Sequence, residues 1–94
     1  MPGMRRFRQA ERTASRVIDG ASFVIAIDSQ VLLELNDVGT HIWERLAAPS
    51  TVDALAQAVA EEFEVDPVAA QRDVESFLGT LVERGVVTED SGTT

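Results

Sequence analysis

Residues Val31-Leu-Leu-Glu-Leu35 are apolar except for Glu34 and run directly into Asn36-Asp37 and the periodic segment Val38 to Leu46. A strand-length apolar run that meets a helix cap leaves no room for a linker, so strand and helix must belong to one small packed unit. That junction constrains the chain more than any other stretch. Its residues are packing and capping types, and the rest of the sequence supplies little reactive chemistry. There is no Cys, Tyr or Lys, and His41 is the only histidine. Function must therefore come from a surface.

A chain of 94 residues is expected to be one domain with a modest core and little interior volume for an enclosed active site. Hydrophobic residues make up 45% and charged residues 26%, the proportions of a folded globular domain. No apolar run is long enough to span a bilayer, and the N-terminus lacks the apolar core of a signal peptide, so a cytoplasmic location is expected. The absence of cysteine removes disulfides, thiol nucleophiles and thiolate metal sites together.

The net charge of −8 is unevenly distributed. Arg5, Arg6, Arg8, Arg12 and Arg16 precede Val17, and only Arg45, Arg72 and Arg84 follow it, among fifteen acidic residues. Such a surface repels a phosphate backbone and argues against nucleic acid as a partner. Residues 1–14, basic and without clear period, read as a flexible arm, the folded domain as 15–88, and 89–94 as a frayed tail.

Along the chain, Ser15 to Ile18 and Ala21 to Ile27 flank Asp19-Gly20, a dipeptide suited to the positive φ of a tight hairpin turn. Asp28-Ser-Gln30 turns into the third strand, Val31 to Leu35. Asn36 or Asp37 caps a first helix whose Val38, Ile42 and Leu46 form one stripe with Trp43 beside it. Ser50 with Asp53 resembles a capping box opening a second helix, in which Val52, Leu55, Ala56, Val59 and Phe63 repeat at helical spacing. Asp66 and Pro67 open a third helix that runs to Arg84 before Gly85. The expected fold is α+β and winged-helix-like: a three-stranded antiparallel sheet followed by three α-helices. If the strands meander in chain order, the third strand is a sheet edge whose main-chain groups must be covered, blunted or used.

Leu35-Asn36, Ile42-Trp43, Leu46, Ser50-Thr-Val52, Phe63, Val65-Asp-Pro67, Asp73-Val74, Phe77-Leu78, Leu81 and Gly85-Val-Val87 together resemble the PqqD-like family of RiPP recognition elements, over about Ser22 to Val87. The resemblance implies a domain without catalytic residues or cofactor that binds the leader peptide of a ribosomally made precursor by strand addition. In such domains the peptide lies along the third strand, here Val31, Leu32, Leu33, Glu34 and Leu35, in a groove whose other wall is the third helix. That wall is drawn by position from Arg72, Asp73, Glu75, Ser76, Phe77, Thr80 and Leu81, with Leu33, Phe77 and Leu81 lining pockets. Main-chain hydrogen bonds supply affinity and pockets supply specificity in this mode, so Leu33→Pro is expected to abolish binding. The implied partner is a pathway enzyme. It is a leader peptidase if the chain is of the lasso-peptide type, toward which Glu64 to Val74 and Ile42-Trp43 lean, and a radical SAM enzyme if it is a pyrroloquinoline quinone chaperone.

Other readings of single features are weaker. His41 alone makes no metal site, since a site needs three or four ligands. Glu61, Glu62, Glu64 and Asp66 lack the spacing of a calcium loop and read as a solvated face. Trp43 reads as core rather than as an interface anchor. By stripe position Phe77 and Leu81 are core, yet a helix beside an open sheet edge turns part of its stripe toward the groove, and the sequence leaves their division open. Two functions of other classes fit the fold: a winged-helix DNA-binding regulator, against which the second helix has no basic residue and the third only Arg72 and Arg84 beside Asp73, Glu75 and Glu83, and a dimerisation domain pairing its open edge with a second copy.

Overall fold

The computed structural model describes residues 5–90. Its elements are β1 (Arg6–Gln9), β2 (Thr13–Ile18), β3 (Ala21–Ala26), β4 (Val31–Leu35), α1 (Asp37–Arg45), β5 (Ser50–Thr51), α2 (Val52–Phe63), α3 (Pro67–Glu83) and β6 (Val87–Asp90). The expected three-stranded antiparallel sheet is present with order β2-β3-β4. Asp19 and Gly20, at φ 53° and 81°, make the primed turn that joins β2 to β3. Gln30 takes φ 59° and donates its N–H to the carbonyl of Ala26 at 2.8 Å, which turns the chain into β4.

A second sheet, of order β5-β1-β6, corrects the expectation of a flexible arm over residues 1–14 and a tail from 89. Arg6 pairs with Asp90 and Phe7 with Glu89 on one side, and Arg6 pairs with Thr51 on the other. Phe7 is 3% exposed, so the arm contributes a core residue. Its exit is fixed by Gln9 N–H donating to the Leu46 carbonyl and Ala10 N–H to that of Val86, both at 2.9 Å. The folded unit therefore runs from the first described residues to Asp90. Residues 1–4 and 91–94, the remainder of the expected arm and tail, lie outside the described residues.

The helices start where side-chain caps satisfy orphan N–H groups. Asn36 Oδ1 accepts from Gly39 N–H at 2.8 Å, and Asp66 Oδ2 accepts from the N–H groups of Val68 and Ala69. Thr51, rather than Ser50, caps α2 by accepting from Ala54 N–H, because Ser50 is already in β5. The core joins Phe7, Val24, Leu35, Ile42, Trp43 and Leu46 to Leu55, Val59, Val74, Leu78, Leu81 and Val86. Trp43 is core, as expected, at 4% exposure.

Candidate functional site

The hydrogen-bond phase of the sheet fixes which main-chain groups are free. In a two-residue hairpin the flanking pair, here Ile18 and Ala21, is the hydrogen-bonded one, and Ile27 N–H donating to the Arg12 carbonyl keeps the same phase at the far end. Odd residues of β3 thus bond β2, and its even residues bond Val31, Leu33 and Leu35 across the β3–β4 register. The N–H and C=O groups of Leu32 and Glu34 point out of the sheet at the β4 edge.

Side chains follow the same alternation. Leu35 is buried and Val31 and Leu33 are half-buried on the core side. Leu32 and Glu34 are exposed on the opposite face, Leu32 to 62%. Beside this edge lies a cleft of about 400 Å³ between the end of β4, the start of α1, the end of α2 and the first half of α3. Leu35, Val38, Ile42, Phe63, Val74 and Phe77 are among its apolar lining, with Glu34 and Asp73 also contributing. Neither carboxylate makes an ion pair among the described residues.

The structure divides the twelve sequence-derived site residues. Val31 through Leu35 form the edge strand, and Asp73 and Phe77, one turn apart, reach the cleft. Leu81 does not: it is 1% exposed and belongs to the buried stripe with Ala70, Val74 and Leu78. At about 100° per residue, Leu81 falls with Val74 on the helix while Phe77 lies toward β4. Glu75 is also corrected, since it lines a separate cavity on the other flank of α3 with Arg5, Phe7, Val52 and Glu89. Arg72, Ser76 and Thr80 are exposed on α3 and do not line the cleft; the Thr80 hydroxyl donates to the Ser76 carbonyl at 3.3 Å.

Gly39, Asn36, Val38 and Phe63 are cleft residues that sequence reasoning did not assign. Phe63 is braced by His41, whose ring stands edge-on to it at 5.6 Å, while Arg45 Nε donates to His41 Nε2 at 3.0 Å. Among the described residues no group of His, Asp or Glu is arranged to hold a metal ion, and no helix is long and apolar enough to cross a membrane.

Residues 22–87 match the family described as Coenzyme PQQ synthesis protein D, PqqD. The chain belongs to the PqqD family. The match begins in β3 and ends in β6, so it takes in the β4 edge, all three helices and the cleft. Solved structures with this PqqD fold include TbiB1 in complex with the TbiA(beta) leader peptide, at 22% identity and a TM-score of 0.78, covering 93% of this chain and 98% of that one. A lasso peptide synthetase B1 complexed with its leader peptide has 26% identity and a TM-score of 0.77, covering 87% and 96%. The PqqD truncation of Methylobacterium extorquens PqqCD, a stand-alone RiPP recognition element, has 18% identity and a TM-score of 0.74, covering 88% of both chains. No curated protein sequence matches the chain.

Proposed function

We propose that this PqqD-family domain is a RiPP recognition element. It captures the leader segment of a ribosomally made precursor peptide as an added strand on β4 and presents it to a processing enzyme, without catalysing a step itself. The observation that carries this reading is the pairing of a free main-chain edge, at Leu32 and Glu34, with an adjacent apolar cleft floored by Phe77. An extended peptide needs both: edge groups to bond its backbone, and a pocket to select a side chain. Two of the similar structures are complexes with leader peptides, which supports a peptide as the occupant.

The similarity to a lasso peptide synthetase B1 bound to its leader peptide favours lasso-peptide processing, with a leader peptidase as the enzyme partner. The family's description in coenzyme PQQ synthesis favours the second reading, in which the partner is a radical SAM enzyme. Affinity on the order of micromolar, about −8 kcal/mol, is expected for such an edge interaction.

The test is fluorescence anisotropy with a labelled leader peptide from the precursor gene adjacent to this one, run beside labelled duplex DNA. Saturable peptide binding without DNA binding is the expected result, and the peptide's sequence names the pathway. No peptide binding, with salt-sensitive DNA binding in its place, overturns the proposal in favour of a winged-helix regulator.

A further inference from the structure

Among the exposed large apolar residues, Ile18, Ile25 and Leu32 share the outer face of the β2-β3-β4 sheet, with Ile27 just past β3 in the same alternation, so these four form a patch rather than a scatter, while Val17, opposite buried Ser22, is on the other face. The register arranges its outer face in rows. Arg16 stands opposite Phe23, which stands opposite Glu34; Ala14 stands opposite Ile25, which stands opposite Leu32. The face is thus an apolar ridge along β3, with a cation on the β2 side and an anion on the β4 side. Neither Arg16 nor Glu34 makes an ion pair among the described residues, and a shallow depression of about 310 Å³ runs over Phe23, Ile25 and Leu32.

We propose that this outer face is the contact surface for a second copy of the same chain, stacked sheet on sheet about a two-fold axis parallel to β3. That rotation places each β2 over the partner's β4. Arg16 then meets Glu34 of the other copy at both ends, Phe23 and Ile25 stack on their own equivalents, and Leu32 covers Ala14. The alternative axis, across the strands, sets Arg16 against Arg16 and Glu34 against Glu34. Charge complementarity therefore selects one isologous arrangement. Sheets packed face to face lie about 10 Å apart with nearly aligned strands, a spacing that these side chains fill.

The face measures about 300 Å² per copy from strand spacing and rise, well below the roughly 800 Å² per partner of a tight complex. The dimer is consequently weak, with dissociation on the order of hundreds of micromolar. It leaves the outward main-chain groups of Leu32 and Glu34 free, so it does not depend on the peptide reading.

Sedimentation equilibrium of the full chain from about 10 µM to about 1 mM is the test, with charge reversal as its discriminating arm. The wild type is expected to dimerise reversibly. Arg16→Glu alone and Glu34→Arg alone each set like charges together at both ends and should weaken dimerisation about tenfold. An equimolar mixture of the two restores both pairs and should form heterodimers as tight as the wild type. Circular dichroism of each variant confirms that the fold is kept. A chain that stays monomeric throughout, or a dimer indifferent to both reversals, overturns the proposal and leaves the face to a different protein.

Discussion

The Phe77 ring occupies the place where Gly39 lacks a side chain: a Cβ at Gly39 would lie 3.0 Å from Phe77 Cζ and 3.4 Å from Leu35 Cβ. The first turn of α1 thereby lets an aromatic ring from α3 form the floor of the cleft beside β4. Gly39 also donates its N–H to the Asn36 cap, so one residue both starts the helix and shapes the cleft.

Gly39→Ala is expected to push the Phe77 ring into the cleft that it lines. The gain in helix propensity, about 1 kcal/mol, offsets the crowding. Thermal stability should change by only a few degrees, while leader-peptide affinity falls about tenfold. Calorimetric titration beside a melting curve measures both; unchanged affinity would show that the ring position does not matter.

The hydrogen-bond phase of β4 redirects the proline test. Leu33 donates into the β3 ladder, so Leu33→Pro is expected to cost about 3 kcal/mol or more in stability and lose binding through unfolding. Glu34→Pro removes an N–H that points outward, at an edge where proline is tolerated. It should keep the wild-type circular dichroism spectrum and lose peptide binding. Retained binding in folded Glu34→Pro would sink strand addition at β4.

Phe77 and Leu81, one turn apart, are expected to separate function from stability. Leu81→Ala empties a fully buried site and should destabilise by about 2–5 kcal/mol in urea unfolding, with affinity unchanged in the protein that remains folded. Phe77→Ala truncates a half-buried ring and should cost less stability, yet weaken peptide binding more than tenfold. Equal effects of the two on binding would contradict the assignment of Phe77 alone to the cleft.

Acid sensitivity is expected to trace partly to Glu89. Arg5 Nε bonds its carboxylate at 2.6 Å, and that hydrogen bond, opposed by burial, holds the Glu89 carboxyl below its ordinary value. A folded-state value below the unfolded one adds stability at neutral pH, where the carboxylate is charged in both states. That contribution fades as pH falls through the unfolded value, near 4.3, to the lowered folded one. Glu89→Gln should therefore lower stability slightly at pH 7 and flatten its decline below about pH 4. An unchanged acid limb in chemical denaturation would show that the exposed pair contributes nothing.

The features legible in the sequence are those set by neighbours in the chain. Asp19-Gly20 dictates its turn, Asn36 and Asp66 dictate their caps, and the alternation of β3 and β4 dictates which side chains face the core. The strand β1 was illegible because Arg6-Phe-Arg-Gln9 has a single apolar residue, and its partners, β5 and β6, come from Ser50-Thr51 and Val87 to Asp90, far along the chain. The allocation of Phe77 to the cleft and Leu81 to the core lay within one helical stripe, and the angle at which α3 meets β4 decided it. Gly39 gave no signal, since a glycine near a helix start is uninformative until the ring packed against it is known.

The pairing of Arg6 with Asp90 has a mechanical consequence. Because the first and last strands are antiparallel neighbours, the chain enters and leaves the fold side by side. A pull on both ends loads the rungs of that ladder one after another, as in opening a zipper, instead of shearing them together. The bidentate Arg5–Glu89 contact sits at the opening as the clasp. Tension transmitted through flanking chain would therefore peel away the β5-β1-β6 sheet first, and the β4 edge would be released only after Phe7 had left the core.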